Sequence, residues 1–156
     1  MLHAVIATLV FVASGALAEP CEYGWRYFPG TRSCYKLLNE KAPWSISEIK
    51  CLFEGAHHIS IGSFPENSFI SEVAQHQEVW TGAAFFGSTS GYTWSDNKPF
   101  GVFENWETGS RPSLNPGRRC VKINPSGEWF QSCCKKQAVT VCKKAAAYDN
   151  SIGFLH

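Results

Sequence analysis

Three arginines fall within nine positions, Arg111, Arg118 and Arg119, and Lys122 follows shortly after. A guanidinium is planar, always charged, and carries its donors in a fixed fork. A cluster of them suits a sulfate, a phosphate or a sialic carboxylate. Ser113 and Asn115 lie in the same stretch and add a hydroxyl and an amide. The competing reading is a solvated loop whose arginines pair with Glu104 or Glu107. Other chemistries have less behind them. His57 and His58 are adjacent, and neighbours in a strand point to opposite faces, so they are poorly placed to share a metal ion. There is no Gly-x-Ser-x-Gly elbow, and nothing marks Glu104 and Glu128 as a carboxylate pair flanking a pocket. Asn124-Pro125-Ser126 is blocked as a glycosylation site by its proline. No catalytic residue and no metal ligand is therefore assigned.

The elements that position such residues must fit one domain, because the chain has 156 residues. Lys and Arg number 14 against 13 Asp and Glu. So even a charge argues against a nucleic-acid partner. With 17% charged and 44% hydrophobic residues the chain can bury enough apolar surface to escape disorder. Residues 1–18 contain no Asp, Glu, Lys or Arg, are almost wholly apolar from Ala4 to Ala13, and close on Ala16-Leu17-Ala18. That pattern reads as a secretory signal peptide cut before Glu19, which makes the protein secreted and extracellular. Ser14 and Gly15 interrupt the run, and a spanning helix needs about 20 apolar residues. No membrane partner is expected.

All seven cysteines (Cys21, Cys34, Cys51, Cys120, Cys133, Cys134 and Cys142) follow the cut. In an oxidising compartment they read as a disulfide framework, whose connectivity spacing alone does not choose. The odd count leaves one thiol that is free or joins a second chain.

Two helices are signalled. Ser45 to Glu48 has the spacing of a capping box, and Ile46, Ile49, Phe53 and Ala56 recur at helical period before Gly55 ends the run. Ser63, Pro65 and Glu66 open the second helix, with Phe69, Ile70, Val73 and Ala74 as its inward face. Strands are expected at 27–28, 33–36, 59–61, 79–84, 92–94, 120–123, 128–131 and 138–142. Between Phe85 and Arg119 the chain is rich in Gly, Pro, Ser and Asn. A segment this long without regular structure is usually functional or disordered. Its Trp94, Phe100, Phe103 and Trp106 argue for an ordered loop.

The ordered series Cys21 to Trp25, Ser33 to Lys36, Trp44 to Cys51, Ala56 to Ile61, Ser63 to Phe69, Trp80 to Ala83, Tyr92 to Asp96, Asn105-Trp106 and Gly127 to Trp129, closed by Cys134 and Cys142, resembles the C-type lectin-like domains. The resemblance implies an α+β fold, with two helices flanking two small antiparallel sheets and a long loop bearing the ligand surface. The domain would span 21–144, followed by a short tail, 145–156. It also implies the pairs Cys21–Cys34, Cys51–Cys142 and Cys120–Cys134. Cys133 is left over, with exchange for Cys134 or a dimer bridge as its alternatives. Calcium-dependent relatives supply carboxylates from a Glu-Pro-Asn or Gln-Pro-Asp triplet, from a Glu before the late cysteine and from an Asn-Asp pair after the late Trp. Here those positions read Arg111-Pro112-Ser113, Arg118-Arg119 and Phe130-Gln131. Ca²⁺ wants six to eight oxygens, several from carboxylates, so no calcium and no other cofactor is expected. The ligand is a glycan or a protein, with an anionic group suiting Arg111, Ser113, Asn115, Arg118 and Arg119. A protein-binding or inhibitor module without sugar binding is the alternative.

Overall fold

The computed structural model describes residues 19–87 and 90–147. The expected signal peptide and most of the expected tail, with Tyr148 and Phe154, lie outside them. The elements are β1 (Arg26–Phe28), β2 (Ser33–Ala42), α1 (Trp44–Phe53), β3 (His57–His58), α2 (Phe64–Val73), β4 (Val79–Ala84), β5 (Thr93–Trp94), β6 (Cys120–Ile123), β7 (Trp129–Ser132) and β8 (Ala138–Ala145). No helix of the described residues is long and apolar enough to cross a membrane.

The fold is α+β, but the strands form one mixed sheet in the order β1-β2-β8-β4-β6-β7, not two separate antiparallel ones. Two antiparallel ladders are welded by a short parallel contact, Val79 opposite Val139 and Trp80 opposite Thr140. That contact is only two residues long, too slight to show in the sequence pattern. The long β2 pairs with β8 from Ser33↔Ala145 to Ala42↔Ala138. Strand β8 thus reaches into the segment expected as tail, and Ala146 N donates to Arg32 O.

Among the described residues the largest buried cluster joins α2 to the sheet and holds Trp94, Trp106 and Trp129, while Trp80 lies with Trp44 in a separate one. Trp80 and Trp129 are fully buried, and Trp94 and Trp106 nearly so. Trp94 and Trp106 both meet the Trp129 ring edge-on, a geometry favoured by the ring quadrupole. The indole N–H groups of Trp44, Trp80, Trp106 and Trp129 are hydrogen-bonded, as burial favours. Trp129 donates to Asn67 Oδ1 at 2.7 Å, and Trp80 to Ala42 O and Trp44 to Thr81 O at 2.8 Å. Asn67 in turn donates to Gly127 O, tying α2 to the β6–β7 turn.

Helix α1 departs from its expected face and cap. Its N-cap is Pro43, which has no side chain able to cap. Its buried residues are Trp44, Ser47 and Cys51, whereas Ile46, Ile49, Leu52 and Phe53 are exposed. The Cys51–Cys142 bridge and the Trp44 indole bond decide which side turns inward. The Gly55 end holds, with φ +68°. Helix α2 begins as expected. Ser63 Oγ accepts from Glu66 N at 3.3 Å, and Ile70, Val73 and Ala74 are buried. The strand expected at Ile59–Ile61 is instead a buried segment after β3. It passes so close to β4 that Gly82 N donates to Ile59 O at 2.8 Å. A Cβ at Gly82 would lie 2.8 Å from Ser95 Oγ and 3.1 Å from Ile59 O, so only glycine fits.

The three disulfides are Cys21–Cys34, Cys51–Cys142 and Cys120–Cys134. Cys133 is unpaired and partly exposed among the described residues.

Candidate functional site

The long segment between β4 and β6 is anchored at its stem and folded on itself beyond it. At the stem, Ser95 Oγ donates to Glu48 Oε2 on α1 at 3.2 Å, and Asp96 accepts from Ser60 Oγ. Glu48 also takes His57 Nδ1 at 2.6 Å and the backbone N–H of His58 at 2.8 Å. The carboxylate expected to cap α1 therefore joins α1, β3 and the loop. His58 is sealed inside. Its Nε2 donates to Trp44 O at 3.1 Å, so Nδ1 accepts from Thr140 Oγ1 at 2.5 Å. Burial holds this imidazole neutral, with a pKa lowered to about 4. The histidine pair is structural.

Beyond the stem, aromatic rings hold the loop down. Tyr92 packs on Phe85, Phe100 and Trp106. Glu104 is the hub of polar contacts. It accepts from Trp106 Nε1 at 2.5 Å and from Arg111 Nε at 2.8 Å. Arg111 closes the fork through Nη2 to the other oxygen. Its guanidinium also lies 5.1 Å over the Phe100 ring. The Arg111 hydrogen bond holds the Glu104 carboxyl below its ordinary range.

The other candidates are arranged next to this pair. Gln131 Nε2 donates to Ser113 O at 2.8 Å and to Tyr92 OH at 2.6 Å. Asn115 Oδ1 accepts from Gly117 N and Asn115 O from Arg118 N, making a tight turn. Arg119 donates to Pro116 O at 3.0 Å and covers Phe85 at 5.6 Å. Arg118 is exposed, and its side chain makes no hydrogen bond to the described residues. Lys122 does not join the group. It is buried, bonded to Glu78 at 2.6 Å and set over the Trp80 ring. Strand alternation in a sheet covered on both sides accounts for that.

The residues at the loop do not fit Ca²⁺. The ion needs several free carboxylate and carbonyl oxygens around one point. Here both Glu104 oxygens are taken by Arg111 and Trp106, Ser113 O by Gln131 and Asn115 Oδ1 by Gly117. Among the described residues no three His, Cys, Asp or Glu side chains are grouped to hold a metal. The arrangement is a partly neutralised cationic surface.

Sequence reasoning missed Gln131 and Tyr92. It also missed a second polar centre behind the sheet. There Lys143 Nζ donates to Glu66 Oε1 at 2.5 Å and to Ser60 O at 2.8 Å. Tyr35 OH donates to the same Glu66 oxygen at 2.6 Å. Gly62 N takes the other at 2.8 Å. Burial, followed by the Glu66 charge, pushes the Tyr35 hydroxyl well up. A lysine within the apolar run of β8 was the available signal.

A family model described as the Lectin C-type domain matches residues 40–144. The human versican core protein is 32% identical over 126 residues, which cover 79% of this chain and 4% of versican. The human C-type mannose receptor 2 is 33% identical over 132 residues, 80% of this chain and 8% of the receptor. The chain thus spans less than a tenth of the length of these relatives. Among solved structures, the carbohydrate-recognition domain of cow CD23, in the presence of a GlcNAc2Man3 oligosaccharide, superposes with a TM-score of 0.73 at 26% identity. The match covers 82% of this chain and 98% of that one. A calcium-independent type II antifreeze protein gives 0.74 at 23% identity over 81% and 95%, a likeness of fold. The conclusion is that this chain belongs to the C-type lectin domain family, whose members are generally recognition modules and not enzymes.

Proposed function

We propose that the protein is a secreted recognition module that binds a glycan through its long loop without calcium. One observation carries the reading: the Arg111 guanidinium grips the Glu104 carboxylate in a fork, so a cation of the chain itself neutralises this acid of the loop. The exposed Arg118, beside Arg119 on its turn, is then the group that meets a sulfate or carboxylate on the ligand. The oligosaccharide in the CD23 structure supports the sugar part of the reading. The test is a glycan array probed with the full chain in calcium and again in EDTA. Binding to sulfated or sialylated glycans is expected in both, and Arg118→Glu abolishes it. Binding lost in EDTA overturns the proposal.

A protein ligand is the second reading, and α1 favours it. Ile46, Ile49, Leu52 and Phe53 expose apolar surface on one short helix, Phe53 by 88%. Contiguous patches of this kind mark contact surfaces. An array blank in both buffers, with a protein partner whose binding Phe53→Ser abolishes, decides for it.

A further inference from the structure

A groove of about 470 Å³ opens between the second half of β2 and the end of α1. Leu37 to Glu40 line it from the strand, and Lys50 and Glu54 from the helix side. Phe53 lines it too, yet this residue is 88% exposed. One patch thus holds both a projecting aromatic ring and a recess with two leucines in its wall. Ile46, Ile49 and Phe53 recur at the three- and four-residue spacing of a single helix face. Leu52 adjoins them, and all four are exposed. No residue from 111 to 119 lines the groove.

The charges at the groove are matched within the chain. Lys50 holds Glu40 at 2.8 Å, and Lys36 holds Glu54 at 2.9 Å. Asn39 accepts from Gln77 Nε2 at 3.2 Å. A strongly charged partner of either sign finds no counter-charge left over here. A copy of this chain, with a net charge of +1, brings the same balanced rim. A two-fold interface requires one patch that is complementary to itself. A ring standing beside a recess meets that requirement: each ring enters the groove of the other copy, and the contact closes at two chains. The exposed side chains and the groove offer on the order of 500 Å² per copy, or about 1,000 Å² for the pair, the lower end for a specific interface.

We infer that two copies of this chain associate through α1, with Phe53 of each seated against Leu37 and Leu38 of the other. The inference rests on the reading of α1 as a contact surface and names its occupant. Cys133 is not required. Its neighbour Cys134 accepts through its carbonyl from Trp44 N, at the first residue of α1, whereas Phe53 is the last. The contact leaves Arg118 free in both copies. A surface that carries many ligands is then held at two points, and the second attachment is intramolecular.

The test is sedimentation equilibrium of the full chain over a concentration series, run beside Cys133→Ser, which excludes a disulfide-linked pair. Both are expected to pass from monomer to dimer mass in the micromolar range. Phe53→Ser removes the exposed ring, and Asn39→Arg sets a long charged side chain in the groove. Each should raise the dissociation constant about tenfold or more, with near-UV spectra checking that both variants fold. Arg118→Glu should leave it unchanged. Three results would each overturn the inference: a monomer up to about 1 mM, a dimer lost in Cys133→Ser, or either groove variant associating like the unaltered chain. A monomeric chain that binds a different protein through Phe53 refutes the second copy and keeps the α1 reading. A monomeric chain with no Phe53-dependent binding removes both.

Discussion

Two of the ion pairs in this molecule lie in such different surroundings that they make different devices. Glu66 and Lys143 meet in the interior, with side chains 1% and 4% exposed. Glu104 and Arg111 meet on the loop, with 23% and 46% exposed. Inside, water cannot replace a missing partner, so the pair locks α2 to β8 and removing one partner is costly. On the loop, solvent screens the pair, so it adds little stability and instead sets the charge the loop presents. One type of contact therefore serves architecture in one place and, under the proposed function, recognition in the other.

The comparison is broken most directly at Glu66. Glu66→Gln leaves the Lys143 ammonium buried against a neutral amide, and a loss of about 3–5 kcal/mol is expected. Thermal unfolding should fall by on the order of 10 °C or more. A loss below about 1 kcal/mol would show that the interior pair is no better insulated than the loop pair.

The second test sharpens the point about burial. His58 has a folded pKa of about 4, against an ordinary value near 6.5. The unfolded chain therefore binds this proton first. Its contribution is whole above about pH 6.5 and is lost as pH falls towards 4, in all about 3 kcal/mol. Urea unfolding at pH 7 and pH 4 measures it, and His58→Gln should flatten that part of the slope. An equal slope in the variant would deny that the imidazole is kept neutral.

A smaller effect is expected on the loop. Arg111→Gln should change stability by no more than about 1 kcal/mol, yet the Glu104 carboxyl should then titrate at higher pH, as carbon-detected NMR would show. A large loss of stability would place this pair in the same class as Glu66 and Lys143. Least of all is expected from Cys133→Ser, within about 0.5 kcal/mol. A non-reducing gel of the unaltered chain reads separately whether Cys133 joins two chains.

The tryptophan core was legible in the sequence because its residues are large, apolar and ordered along the chain. Strands β4 and β6 were legible for similar reasons, lying at 79–84 and 120–123 as their patterns indicate. The inward face of α1 was not. Its apolar residues do repeat at helical spacing, but a disulfide and one indole hydrogen bond outweigh that stripe, and neither can be seen from periodicity. The same limit applies to charge. Glu48 has the spacing of a cap and serves as a brace between distant elements, because its partners His57, His58 and Ser95 come together only when the chain is folded. At the loop, Arg111 pairs with Glu104, one of the two acids weighed for it. The contacts of Ser113 and Lys122 depend on residues 18 and 44 positions away.

The Cys51–Cys142 bridge spans 91 positions and encloses the whole exposed stretch around 107–118. Among the three bridges it alone has its two cysteines on opposite sides of that stretch. A protease that clips the backbone there leaves two fragments tethered by sulfur, and only a reducing agent parts them. Damage at this exposed stretch would thus go unnoticed on a sizing column.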